Sequence, residues 1–254
     1  MAEIKGLFFD QDGVIVDTER DGHRVAFNET FKSFGFNFQW SVEEYHDLLQ
    51  IAGGKERMAH YLHTKGFNKP INPAEEEQLI KDMHKAKTSK FIELIESGKL
   101  PLRPGIKRLM KEANHAGILI GICTTSDEKA AKAISTKYLN EINFRFILAG
   151  DVVDKKKPDP AIYLMALQKS QLKPEECVVI EDSKNGVLAA KGAGIRTLVT
   201  TNPYTEKEDL SGADIILTCL GDPNGEKGEL VRSTKPFAFN GVMHLQQIKD
   251  YFQS

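Results

Sequence analysis

Short apolar runs that alternate with helical stretches constrain this chain more than any other feature. The runs are Ile4 to Phe9, Ile118 to Cys123, Arg145 to Ala149, Cys177 to Ile180, Thr197 to Val199 and Ile215 to Leu217. They have the length and the apolar character of strands buried on both faces. Helical patterns separate most of them. Ile106 to Ala116 precedes the second run and Glu128 to Tyr138 follows it; Pro160 to Lys169 precedes the fourth and Ser183 to Gly192 follows it. This alternation predicts an α/β fold, a doubly wound, Rossmann-like parallel sheet with helices on both faces. Val242 to Phe252 reads as a closing helix, and Gly221 to Pro236 is turn-rich without a clear element.

One stretch breaks the alternation. From about Arg20 to about Ser97 the sequence is helical and rich in His, Lys and Glu, with no strand pattern. Leu48-Leu49, then Met58, Tyr61 and Leu62, then Leu79, Met83, Phe91 and Leu94 fall at helical spacing. The expected organisation is an α/β core of residues 1–16 and 98–254, with residues 17–97 inserted as an all-helical domain. Pro101 and Pro104-Gly105 mark the return to the core.

Composition narrows the functional classes. The chain has 254 residues and a formal net charge of -2, which gives no electrostatic footprint for nucleic acid or an acidic membrane. No apolar run approaches the roughly 20 residues that span a bilayer. Met1 to Phe9 runs directly into a strand pattern and leaves no room for a signal or transit peptide. A cytoplasmic location is expected, or an organellar stroma if a transit peptide has been removed, and the expected state is a monomer. The three cysteines, Cys123, Cys177 and Cys219, form no CxxC pair and read as reduced, buried thiols.

Ligands of open parallel sheets bind beyond the carboxyl ends of the strands, and four motifs stand there. Asp10-Gln11-Asp12-Gly13 follows the first run. Two carboxylates so close repel unless a cation separates them or one is protonated, although Asp and Gly are also turn formers. Thr124-Thr125-Ser126-Asp127 follows the second run, where hydroxyls and helix-start N–H groups can bind phosphate or simply cap a helix. In Lys155-Lys156-Lys157-Pro158-Asp159-Pro160, Lys155 and Lys156 read as solvated, while Lys157 is the candidate phosphate partner. Asp159 reads as the cap of the next helix and Pro160 as its first residue. Glu181-Asp182-Ser183 supplies a second acidic pair at a strand end. Carboxylates from two strand ends, with water and phosphate, make a Mg²⁺ environment.

The four motifs in this order resemble the haloacid dehalogenase superfamily of aspartyl-phosphate enzymes, over about Ile4 to Pro223. The resemblance implies Asp10 as nucleophile and Asp12 as general acid/base. Thr124 and Lys157 match the hydroxyl and lysine motifs, with Thr125 and Ser126 adding substrate contacts. Glu181 and Asp182 match the metal-binding acidic pair. The implied cofactor is Mg²⁺, held by Asp10, Asp182 and the Asp12 backbone carbonyl. The helical insertion resembles the family's cap, whose closure excludes bulk water. Asp17-Thr18-Glu19, His23 and Gly53-Gly54-Lys55-Glu56-Arg57 look like the CbbY-like sugar-phosphate phosphatases, relatives of β-phosphoglucomutase. The string Asp151-Val152-Val153 through Pro160 fits the same subgroup. The interval from Glu19 to His23 is one residue longer than in most members.

The resemblance implies a Mg²⁺-dependent phosphatase acting on a small phosphorylated sugar. If Lys55 and Arg57 bind a second anionic group, a bisphosphate such as xylulose 1,5-bisphosphate is favoured, with Glu19, His23, Gly53 and Gly54 beside them. Three alternatives stay open: a β-phosphoglucomutase-type phosphomutase, a phosphoglycolate phosphatase, and a non-catalytic phosphate-binding protein on the same fold.

Overall fold

The computed structural model describes residues 2–49, 51 and 54–253. The chain divides into two compact units, Met1–Asp17 with Pro101–Ser254, and Thr18–Leu100.

The first unit is built on β1 (Gly6–Phe9), β2 (Leu119–Cys123), β3 (Phe144–Leu148), β4 (Cys177–Glu181), β5 (Arg196–Thr200), β6 (Ile215–Leu217) and β7 (Leu230–Ser233). Their order in the sheet is β3-β2-β1-β4-β5-β6-β7. Every pairing is parallel except the last, where β7 runs antiparallel to β6. The chain starts at β1, builds outward through β2 and β3, then returns to place β4 on the other side of β1. That reversal creates a crevice at the carboxyl ends of β1 and β4. Register aligns the strand ends, since Phe9 stands opposite both Ile122 and Ile180. Asp10, Cys123 and Glu181 therefore emerge at one level.

Crossover helices explain the parallel pairing. In sequence order they are α5 (Ile106–His115), α6 (Glu128–Tyr138), α7 (Ala161–Ser170) and α8 (Lys184–Gly192), and α9 (Leu245–Gln253) closes the chain. The helix starts are capped by the residues next to the site. Asp127 accepts from the amides of Lys129 and Ala130, and Ser183 accepts from Gly186. Asp159, the expected cap, accepts from the Ala161 amide at 3.0 Å but lies one residue before the observed cap, which is Pro160. The strand β7 lies within the turn-rich stretch. It is a mostly exposed edge, so no buried apolar run announces it.

The second unit contains α1 (Arg24–Ser33), α2 (Val42–Leu48), α3 (Gly54–Thr64) and α4 (Glu76–Glu96), preceded by a π-helical turn at Thr18–His23. Its core is aromatic: Phe27, Phe31, Trp40, Tyr45 and Phe67 are fully buried. Asn28 pins the loop after α1 by donating to the Trp40 carbonyl at 3.0 Å and accepting from its N–H at 2.8 Å. On α4 the buried stripe is Ile80, Met83, Lys87, Phe91 and Ile95. Leu79 and Leu94, expected in that stripe, are only partly buried. A lysine at the stripe's centre disguises its true phase.

Candidate active site

The loop after β1 closes tightly, with the amides of Val14, Ile15 and Val16 all pointing at the Gln11 carbonyl. Gly13 adopts a φ of +79°, and a Cβ there would lie 2.2 Å from Asp182 Oδ2. Only glycine lets the loop pass this close to the β4 end.

Asp10 and Asp12 serve different surroundings. Asp10 Oδ1 accepts from Lys157 Nζ at 2.6 Å. Asp12 Oδ2 accepts from the Thr124 hydroxyl at 3.1 Å and from the Ser126 hydroxyl. Thr124 is itself buried and accepts from the Ser126 amide at 3.1 Å. The hydroxyl motif thus aims Asp12, while Thr125 is half-buried beside it. Lys155 and Lys156 are exposed, and Lys156 pairs with Asp151 at 2.9 Å.

Lys157 is enclosed, its side chain 8% exposed, and donates to Asp10, to Glu181 Oε1 at 2.6 Å and to the Cys123 carbonyl at 2.9 Å. Glu181 is fully buried. Its Oε1 also accepts from the Tyr163 hydroxyl at 2.5 Å, and its Oε2 accepts from the Asp182 amide at 3.1 Å. A Cβ on Gly186 would lie 2.0 Å from this carboxylate, so the α8 backbone walls it in. Burial raises the Tyr163 pKa well above its ordinary value, which keeps the hydroxyl a donor.

Asp10, Glu181 and Asp182 each offer a carboxylate oxygen, all within 4.8 Å of one another. Burial, opposed by Lys157 and reinforced by Glu181 and Asp12, pushes Asp10 up to about 8. Burial also raises Asp182 well above the carboxylate range, with Asp10 and Glu181 adding to it. Burial disfavours the Lys157 ammonium, but Asp10 and Glu181 outweigh it and hold the charge on. One lysine cannot offset four carboxylates that include Asp12, so this donor set fits a hard divalent cation.

Sequence reading missed three residues here. Asn202 donates to Asp182 Oδ2 at 2.7 Å. Tyr163 holds Glu181. Arg103, partly buried, donates to the carbonyls of Gly13, Thr201 (2.5 Å) and Thr218 (2.9 Å), bracing the β1 loop against the ends of β5 and β6. Each acts through contacts remote in sequence. The nearest local signals are the Arg103-Pro104-Gly105 turn and the Asn202-Pro203 pair after β5.

In the helical unit, Tyr45 donates to Glu19 Oε2 at 2.6 Å, and Arg57 donates to the Tyr45 oxygen at 3.2 Å and the Ile51 carbonyl at 2.9 Å. Lys55 is exposed, and Gly54 opens α3 against the His84 ring. Gly53 lies outside the described residues. His23 sits in the π-helical turn, whose wider loop absorbs one extra residue and so accommodates the long Glu19–His23 interval. Its Nδ1 is 2.9 Å from Lys87 Nζ, and its ring packs on Phe91. Burial, then the nearby Lys87, lowers His23 well below its usual range, so it accepts from the ammonium.

The family profile described as haloacid dehalogenase-like hydrolase matches residues 4–194. A CBBY-like protein of Arabidopsis thaliana is 47% identical over 228 residues, covering 88% of this chain and 72% of that protein. Protein CbbY of Cereibacter sphaeroides is 43% identical, covering 89% of this chain and 96% of that one. The crystal structure of a CbbY mutant from Rhodobacter sphaeroides in complex with xylulose-(1,5)bisphosphate superposes with a TM-score of 0.68 at 41% identity, over 85% of this chain and 94% of that chain. Among the described residues no helix is long and apolar enough to cross a membrane. The chain belongs to the haloacid dehalogenase-like hydrolase family, in its CbbY-like branch, and is a phosphoric monoester hydrolase of that family.

Proposed function

We propose that this enzyme removes the 1-phosphate of a ketopentose bisphosphate, xylulose 1,5-bisphosphate, through an aspartyl-phosphate on Asp10. The convergence of Asp10, Lys157 and the Glu181–Asp182 pair at the ends of β1 and β4 carries this reading. The sugar follows from the ligand of the CbbY relative.

Mg²⁺ is the proposed cation, held by Asp10, Asp182 and the Asp12 backbone carbonyl. When bound it screens charge between the carboxylate nucleophile and the phosphate. Glu181, a member of the same carboxylate cluster, is assigned a second task, because its Oε1 accepts from both Lys157 and Tyr163. It holds Lys157 in place, and Lys157 adds positive charge toward the transferring group. Asp10 attacks phosphorus and the sugar oxygen leaves with a proton from Asp12. Asp12 then takes a proton from the water that hydrolyses the acyl-phosphate. Thr124 and Ser126 keep Asp12 aimed through both steps. Substrate choice is assigned to the helical unit, to Lys55 and Arg57 above all.

A panel of phosphorylated metabolites, scored separately for free phosphate and for isomerised sugar phosphate, tests this reading. Release of one phosphate from the ketopentose bisphosphate is expected to exceed every other turnover. Isomerisation without phosphate release would overturn it.

A further inference from the structure

Asn202 is 7% exposed and Asp182 is 6% exposed. The Asn202 side chain cannot turn over. Its Oδ1 accepts from the amides of Tyr204 at 2.9 Å and Thr205 at 3.2 Å. Those backbone groups only donate, so the oxygen must face them and Nδ2 must face Asp182. Its backbone is fixed as well. The Asn202 carbonyl accepts from the amides of Thr205 and Glu206 at 3.0 and 2.9 Å, and Arg103 holds the preceding carbonyl, that of Thr201. The β1 loop packs over the pair, since a Cβ on Gly13 would lie 2.7 Å from Asn202 Nδ2.

We infer that Asn202 is a positioning residue for the cation: its amide takes Oδ2 of Asp182 and so presents the other carboxylate oxygen to the metal. The inference rests on the reading of Asp182 as a cation ligand. Its physical basis is general. A ligating carboxylate free to rotate loses entropy and alignment on binding, and an outer hydrogen bond removes that loss in advance. An amide suits the task because it donates without adding charge to a centre already rich in carboxylates.

The test is calorimetric titration of Mg²⁺ into the metal-free full chain, for wild type, Asn202→Ser, Asn202→Ala and Asp182→Ala. Serine keeps an oxygen for the Tyr204 and Thr205 amides but brings no amide to Asp182; alanine loses both. The expected result is that both Asn202 variants weaken Mg²⁺ binding alike, by about 10- to 100-fold, with the metal-free melting temperature of Asn202→Ser near that of wild type. Weakening confined to Asn202→Ala would mean that the turn matters and the donor does not, and would overturn the inference. Wild-type affinity in both variants would do the same. Asp182→Ala separates the two levels. If it abolishes binding while Asn202→Ser binds normally, only the role of Asn202 fails. If it binds as wild type, Asp182 is not a ligand, and the underlying reading fails with the inference.

Discussion

The Lys157 ammonium lies 2.6 Å from Asp10 Oδ1, although 147 residues separate the two in sequence, and it lies equally close to Glu181. One cation therefore links the ends of β1 and β4. Replacing it with alanine leaves buried carboxylates without their partner. Lys157→Ala should lose about 3–5 kcal/mol of stability in metal-free protein and at least roughly 10²-fold in kcat. Lys157→Arg should not rescue activity, because the wider guanidinium has no room among Asp10, Glu181 and the Cys123 carbonyl. Chemical denaturation and steady-state kinetics check both statements. Wild-type kcat in Lys157→Arg would show that any cation suffices here.

The metal-free centre should resist ionisation. Asp10 is pushed from 3.8 up to about 8, first by burial. Between those values the folded chain holds more protons than the unfolded one, so metal-free stability falls as pH rises from about 4 to 8. Mg²⁺ needs the ionised carboxylate, so its affinity should climb over the same range and level off above about pH 8. Melting curves with and without Mg²⁺ across this range test the sign. Stability rising with pH in metal-free protein would mean that Asp10 is already ionised.

Lys87 should show the opposite dependence. Burial in the α4 stripe pulls it from 10.5 down to about 8. The unfolded chain then binds more protons between about pH 8 and 10.5, so stability should rise with pH across that window. Lys87→Met should remove this rise. At pH 7 it should melt at least ~2–4 °C above wild type, roughly what one kcal/mol is worth in a chain of this size. A lower melting point at pH 7 would show that the contact with His23 outweighs the burial.

Much of the α/β unit is legible in the sequence because its central strands β1, β2 and β4 are buried on both faces and each ends in a polar motif. Asp10, Thr124 and Glu181 could be found for that reason, and Lys157 by the prolines that follow it in the Lys157-Pro158-Asp159-Pro160 loop. Lys87 was hidden because a lysine interrupts the apolar phase of α4, yet a lone cation at i±4 from Met83 and Phe91 is itself a readable signal. Strand β7 lacks a buried face, and Asn202, Tyr163 and Arg103 act only through tertiary contacts.

Lys55 and Arg57 should separate on substitution. Arg57 is tied to Tyr45 and to the Ile51 carbonyl, whereas Lys55 is exposed. Lys55→Ala should lose about one to two powers of ten in kcat/KM on a sugar bisphosphate and little on p-nitrophenyl phosphate. Arg57→Ala should show the same split and also melt lower, since it anchors the chain before α3. Equal losses on both substrates would assign these residues to folding rather than recognition.

The most direct test is to trap the covalent phosphoenzyme. Asp12→Ala lacks the proposed base for water activation, so rapid quenching of this variant with radiolabelled substrate and Mg²⁺ should capture one phosphoryl group on the peptide bearing Asp10. Asp10→Asn, quenched in the same way, should carry no label and turn over no substrate. Label on another residue, or more than a few per cent of wild-type turnover in Asp10→Asn with deamidation excluded, would contradict a covalent route through Asp10.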